Sequence, residues 1–559
     1  MEEVIRAALA QAAGGVAGRE VAIELEYPDE SYGDFTSNVA IKLAKELNRS
    51  PQELAQSLAS EVAGSLEADI KEASIAGPGF INLRLSDSAL KKEMEREPSK
   101  PLSGRSTVVE YSDPNPFKIL HAGHLYTSIV GDAIANLLAQ AGASVHRVNY
   151  GGDVGLHVGK SLYAILEHIG GEVNASKLAQ IEPSSRSRWM SDCYVLGNKA
   201  YEENEAARQE IIKLNQRIYQ IQASNDHASP LATIYWTTRA WSYEAFDRFY
   251  AQLNIHFDKF YPESEVAPIG LQTVQEQLAK GVFEMSDGAV VFKGEKYDLH
   301  TRVFINSHGI PTYEGKEIGL AMLKKRDFKM DRSIIITGSE QQQYMAVVIK
   351  AMSLFAPDLA NQTTHLTHGM VRLSGGKKMS SRAGNILEAD DVLSAASEAA
   401  AKIADKQDFR VVLAAVKYSF LKQRLGGDIV YEPEESVSVL GNSGPYLQYA
   451  YARANSVLKK AGEFNESVGE KYEFTKDERG LALKLSRFSD TIETASRELS
   501  PHLLCTYLYD LAQEFNRFYE ANRIIGDERQ DLRLNLSKVY ATRLRQGLEL
   551  LGIDAPTRL

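Results

Sequence analysis

Between Thr107 and Tyr150 the hydrophobic period changes twice, and that change commits the chain to a layered α/β architecture. TVVEY (107–111) is a short β-branched run. A Pro/Asn-rich loop follows it, a helical period then runs from His124 to Ala141, and SVHRVNY (144–150) returns to a strand pattern. Strand, loop, helix and strand in that order open a parallel sheet, whose faces must be covered by helices.

The rest of the chain is organised around this unit. Residues 1–98 read as a small α/β domain. It has helical periods over Ser37–Leu47 and Pro51–Leu66, and two apolar runs flanking Gly77-Pro78-Gly79 that predict strand, turn and strand. The polar segment 95–104, with two prolines, is a linker. The first half of the parallel-sheet domain covers 104–160. Residues 161–287 read as a mostly helical insertion, broken at HASP (227–230). The sheet resumes over 288–400 with GAVVFK (288–293), TRVFIN (301–306) and RSIIITG (332–338). A helical connector (401–435) leads to an all-α bundle (436–559), where Leu503–Tyr519 and Leu534–Leu551 keep i, i+3, i+4 spacing.

Composition narrows the functional classes. Apolar residues are 44% and charged residues 25% of the 559, which is globular and not disordered. No apolar run is long enough to span a membrane, and MEEVIRAALAQAAGG lacks the basic start and apolar core of a secretory signal. The two cysteines, Cys193 and Cys505, are too distant to suggest a disulfide framework or a zinc site, so a reducing cytoplasm is expected. The net charge of -11 weighs against a polyanionic partner, but segment 436–559 carries 17 basic and 17 acidic residues and can still present a basic face.

Two segments carry chemistry. In EYSDPNPFKILHAGHLYTSIVG (110–131) a strand ends, two prolines keep the connector extended, and a helix begins near His121–His124. A helix N-terminus suits phosphate, and Gly123 lets a nucleotide approach the backbone. His121 and His124, three apart, share one face, where two imidazoles can donate to phosphate oxygens during nucleotidyl transfer. In LSGGKKMSSRAGN (373–385), glycines flank Lys377, Lys378, Ser380, Ser381 and Arg382. This is the pattern of a loop that closes over a triphosphate, and it does not fit the P-loop spacing.

HAGH (121–124) resembles the HIGH signature of class I aminoacyl-tRNA synthetases, and KMSSR (378–382) resembles their KMSKS loop. The resemblance implies a Rossmann-type catalytic sheet, ATP with its accompanying Mg2+, and no zinc. Wider matches are similar to the arginyl family: VVEYSDPNPFKILHAGHL (108–125), RVNYGGDVG (147–155), GNSGPYLQYAYARANS (441–456), LAQEFNRFYE (511–520), GLELLGIDAP (547–556) and, near the start, YGDFTSNVAIKLAK (32–45) and AGPGFIN (76–82). The implied partners are L-arginine, ATP and tRNA(Arg); a monomer with no membrane attachment is expected.

The resemblance also implies site residues. His121, His124, Lys118 and Lys378 would be catalytic; Ser381 stands where KMSKS has lysine, and Lys118 supplies a cation from the other loop. Gly123, His368, Gly369, Met370, Lys377, Met379, Ser380 and Ser381 would hold ATP. Glu110, Asp113, Asn115, Tyr313, Glu317 and Gln341 would hold arginine: Glu317 as the carboxylate partner of the guanidinium, with Tyr313 beside it, and Glu110 with Asn115 at the backbone end of the amino acid. Tyr313 and Glu317 lie on one face if a helix starts near Thr312. Tyr446, Tyr449, Arg453 and Phe35 would contact tRNA, whereas Phe515 and Phe518 read as bundle core. Where the family usually has Tyr-x-x-Arg-Asp, this chain has Lys316 and Glu317. Asp113, Tyr126 and Val154 also depart from the usual residues. The alternatives are a cysteinyl synthetase, which would need a zinc-binding set, and a nucleotidyltransferase or a paralogue that binds RNA without charging it.

Overall fold

The structure is a computed structural model that describes residues 1–29, 31–374, 387–403, 408–465 and 472–558. The residues Lys377, Lys378, Met379, Ser380 and Ser381 lie outside the described residues.

A five-stranded, wholly parallel sheet forms the centre. Its strands are β1 (Ser106–Glu110), β2 (Ser144–Gly151), β3 (Lys259–Pro262), β4 (Arg332–Gly338) and β5 (Thr363–His368), in the spatial order β5-β4-β1-β2-β3. β1 is the middle strand, pairing Val108 with His146 on one side and with Ser333 on the other. Val108, Val109 and Ile334 are fully buried, as a strand covered by helices on both faces requires. The strand order reverses between β1 and β4, and a crevice opens at the carboxyl ends of strands at such a switch point. Glu110, Gly338 and His368 end β1, β4 and β5 there.

Two expectations need correction. β3 falls inside the segment read as helical insertion (161–287), and the helix Glu263–Ala279 follows directly from it. Four residues between long helices are too few to reveal a strand period. GAVVFK and TRVFIN do not resume the main sheet. They belong to a separate antiparallel three-stranded sheet, in which Ala289–Phe292 is the middle strand between Glu284–Ser286 and Arg302–Ile305. A short β-branched run specifies a strand, but not which sheet it joins.

The N-terminal domain has its own core around Leu9, Leu54, Leu58, Ile81 and Leu83. Its hairpin pairs Ala76 with Phe80 across a turn in which Gly77 and Gly79 have φ of 54° and 129°. Arg479 of the C-terminal bundle docks the domain, donating to Asp34 at 2.6 Å and to Asp87 at 2.9 Å. The bundle comprises Gly444–Ala461, Lys476–Ser486, Phe488–Glu498, Pro501–Ala521 and Gln530–Leu550. Its core is continuous with that of the helix Ala122–Gln140, which leaves β1.

Candidate active site

The loop from β1 to the next helix is held in sparsely populated backbone conformations: Ser112, Asp113 and Phe117 have φ of 75°, 51° and 68°. Tyr250 Oη hydrogen-bonds to Ser112 Oγ at 2.8 Å, and Phe117 N–H donates to Ser242 Oγ at 3.0 Å. The insertion's long helix, Pro230–Leu253, thus fixes the loop from outside.

The loop delivers His121 to the N-cap of Ala122–Gln140. Gly123 N–H donates to His121 Nδ1 and His121 N–H donates to His124 Nδ1, each at 3.1 Å. With both Nδ1 atoms accepting, each neutral ring carries its proton on Nε2. The rings stack at 3.7 Å. Burial, then the neighbouring His368, pushes His121 down to about 4. Burial, then His121, pushes His124 well below the ordinary histidine range. At neutral pH the pair therefore offers two neutral N–H donors at a helix N-terminus, whose partial positive charge suits phosphate. Gly123, His368, Gly369 and Met370 line the same cleft, of about 720 Å³. Lys118 stands beside them with its Nζ 5.0 Å over the Tyr194 ring. The chain leaving segment 375–386 is pinned to this corner: Ala122 N–H donates to Leu387 O and Ala389 N–H to Leu120 O.

The other end of the cleft is acidic. Glu110, Asp113, Glu263 and Glu317 all line it. Glu110 is buried and accepts from Lys324 at 2.5 Å. Asp113 Oδ1 accepts from Tyr150 N–H at 2.8 Å, and burial together with Glu110 raises this carboxyl well above its usual range. Tyr313 opens the helix Tyr313–Phe328, and Glu317 follows one turn later. Glu317 lines the cleft; its neighbour Lys316 does not, and pairs instead with buried Glu263. Burial first, then Glu110, raises Glu317 to about 8. Among the described residues four acids line this end and two buried lysines, Lys324 and Lys316, pair with them, so the site gains from an incoming cation. Asn115 Oδ1 accepts from Gly152 N–H at 2.8 Å, so Asn115 shapes the cleft floor.

Three contributors were not legible in the sequence. Tyr344 Oη lies 3.2 Å from Glu317 and 3.0 Å from Gln341, tying these two together. Tyr150 Oη is buried with no hydrogen-bond partner among the described residues, and it lines the cleft beside the acids. Lys324 neutralises Glu110 from two turns beyond Glu317. A tyrosine or lysine on an ordinary helical period gives no sign of where it will point.

A second cavity, of about 730 Å³, lies in the bundle and is lined by Tyr449, Arg453, Lys460, Tyr519, Arg523 and Arg558 among others. Arg453 stacks on Tyr519 at 4.3 Å, and Tyr449 is exposed. Tyr446 is half-buried, its Oη accepting from Asn516. Phe515 and Phe518 are core. Phe35 must be corrected: it is 4% exposed and packs on Tyr27 at 5.3 Å, so its ring is committed to the N-terminal core and cannot stack on a base. Among the described residues no group of three or more His, Cys, Asp or Glu side chains could hold a metal ion, and no helix is long and apolar enough to cross a membrane.

Comparison with known proteins finds three family models along the chain. The family model described as tRNA synthetases class I (R), catalytic domain, matches residues 87–427. The arginyl tRNA synthetase N terminal domain matches 1–85, and the DALR anticodon binding domain matches 447–559. The chain is 31% identical over 577 residues to the arginine–tRNA ligase of Treponema pallidum, covering 96% of this chain and 95% of that protein. It is 29% identical to that of Bacteroides thetaiotaomicron, over 97% and 96%. Among solved structures, the Thermus thermophilus arginyl-tRNA synthetase aligns over 100% of both chains with a TM-score of 0.83 and 27% identity.

Proposed function

This chain belongs to the arginyl-tRNA synthetase family of class I, and from that membership we propose how its cleft divides the work of charging tRNA(Arg) with arginine. The enzyme is an arginine–tRNA ligase. The arginine carboxylate attacks the α-phosphate of ATP and pyrophosphate leaves; a hydroxyl of the tRNA's terminal ribose then attacks the arginyl carbonyl and AMP leaves.

Glu317 receives the guanidinium, with Tyr313 packing beside it. Glu110, Asn115 and Gln341 hold the amino-acid end, with Asp113 beside them. His121 and His124 donate from Nε2 to the phosphates as charge builds, and Gly123, His368, Gly369 and Met370 seat the nucleotide. Lys118, with Lys378 of the KMSSR segment, neutralises the phosphates; Lys377, Met379, Ser380 and Ser381 act with it. Mg2+ would come with ATP and offset the charge of its phosphates. Tyr449 and Arg453 receive RNA bases and backbone in the bundle cavity, with Tyr446 behind them. The protein works as a monomer in the cytoplasm.

One observation carries this reading: a buried acidic end and a pair of neutral N–H donors share one cleft at the sheet's switch point. Arginine-dependent ATP–pyrophosphate exchange, with and without tRNA, tests it. Exchange with arginine but not lysine or cysteine, and requiring tRNA, is the expected result. Exchange with another amino acid, or none under any condition, would overturn it.

A further inference from the structure

Lys417, on the helix Phe409–Leu421, is 2% exposed and lines neither cavity. Its Nζ donates to Leu253 O at 2.7 Å and to Gly552 O at 2.6 Å. Leu253 ends the insertion's long helix, and Gly552 lies just past the last bundle helix. A buried ammonium is costly unless its hydrogen bonds are satisfied, so this one is tied to its position.

The same point touches the helix that begins with HAGH. Gly552 has φ of +66°, and a Cβ there would lie 3.0 Å from Asp132 Oδ2 and 3.2 Å from Lys417 Nζ. Asp132 sits two turns beyond His124 on one rigid helix. Around it, Asn136 Nδ2 donates to Asp132 and to Leu550 O, and Arg147 of β2 donates to Asn136 Oδ1 at 2.6 Å. Beyond Gly552 the strap continues outward: Gln448 Nε2 donates to Asp554 O at 2.8 Å, and Thr557 and Arg558 line the basic cavity with Arg453. A continuous run of contacts therefore joins that cavity to the flank of the catalytic helix.

We propose that Lys417 is a positioning residue that anchors the strap 551–558 and couples occupancy of the bundle cavity by RNA to the placement of His121 and His124. The inference rests on reading that cavity as an RNA site. Lys417 touches no substrate; it acts by holding Gly552 and Leu253 against the catalytic helix.

The test is a double-mutant cycle on the full-length enzyme, reading kcat for aminoacylation at saturating tRNA. Lys417→Met should lower kcat about tenfold while leaving the KM for arginine and for ATP unchanged. Lys417→Arg, which keeps donors for both carbonyls, should restore most of the rate. In an Arg453→Ala background, where the cavity no longer grips RNA, Lys417→Met should have little further effect. Equal losses in both backgrounds, or a loss of kcat that tracks a lowered thermal midpoint, would make Lys417 merely structural. Where Lys417→Met does not fold, Gly552→Ala perturbs the strap and enters the same cycle with the same outcomes. A wild-type enzyme that fails to charge tRNA(Arg) would instead sink the functional assignment itself.

Discussion

Arginine binding should release a proton, and its affinity should rise with pH. Burial and the facing Glu110 raise the Glu317 carboxyl to about 8, with Lys324 and the Tyr344 hydroxyl opposing. At pH 7 such a group is ionised in only about one molecule in eleven, and at pH 9 in about ten of eleven. A guanidinium favours the carboxylate, so the empty cleft holds the proton and the complex gives it up. Binding strengthens as pH rises, and the advantage is lost as pH falls below about 8. From pH 7 to 9 the apparent affinity should grow about tenfold, about 1.4 kcal/mol, with most of the gain below pH 8. Because Glu317 and Asp113 are both raised and act on each other, the transition belongs to the pair and not to one residue. Calorimetric titration of arginine, with tRNA present and in two buffers of different ionisation enthalpy, measures this. Near pH 7 about 0.9 proton should leave per arginine bound if Glu317 alone titrates. Glu317→Gln should flatten the dependence, and Glu317→Ala should cost about 3–5 kcal/mol of arginine recognition. Buffer-independent heats and a flat affinity in the wild type would show that the carboxyl is already ionised or does not meet the guanidinium.

Three further outcomes follow from the geometry. His124→Asn should lower kcat about 10²–10³-fold with the KM for arginine unchanged, as loss of one transition-state donor does; both histidines titrate low, so protonating them should not depress wild-type activity between pH 8 and 6. Tyr344→Phe should raise the KM for arginine by about 1–2 kcal/mol equivalent, because Glu317 and Gln341 lose their common partner; an unchanged KM would remove Tyr344 from the site. In the bundle, burial alone would raise Glu478, but hydrogen bonds from Arg529, the Thr475 N–H and Arg533 outweigh it and bring the carboxyl down to about 2. Its folded value is depressed, so its stabilisation is complete above the unfolded value near 4.3 and is lost as pH falls toward 2; Glu478→Gln should remove that part of the acid-unfolding profile.

The sequence by itself determined the parts of this protein that local chemistry can specify. The periods around Thr107–Tyr150 demanded a parallel sheet with a helix behind it. HAGH between strand and helix placed two imidazoles on one turn, and the all-helical pattern of the last hundred residues specified the bundle. Each depends on spacing along the chain, which a sequence states outright. Tertiary structure alone decided what those parts face. β3 lies inside a segment that reads as helical because four edge residues acquire strand character only by pairing with β2. Phe35 lies in the core because the N-terminal sheet closes over it, although a conspicuous aromatic looks equally suited to a base. Lys316 and Glu317 are adjacent charges that a sequence would pair with each other. The fold separates them, giving Lys316 to Glu263 and leaving Glu317 in the cleft with Glu110, 207 positions earlier in the chain. Burial and facing charge set the chemistry of these groups, and both are properties of distances that exist only once the sheet has formed.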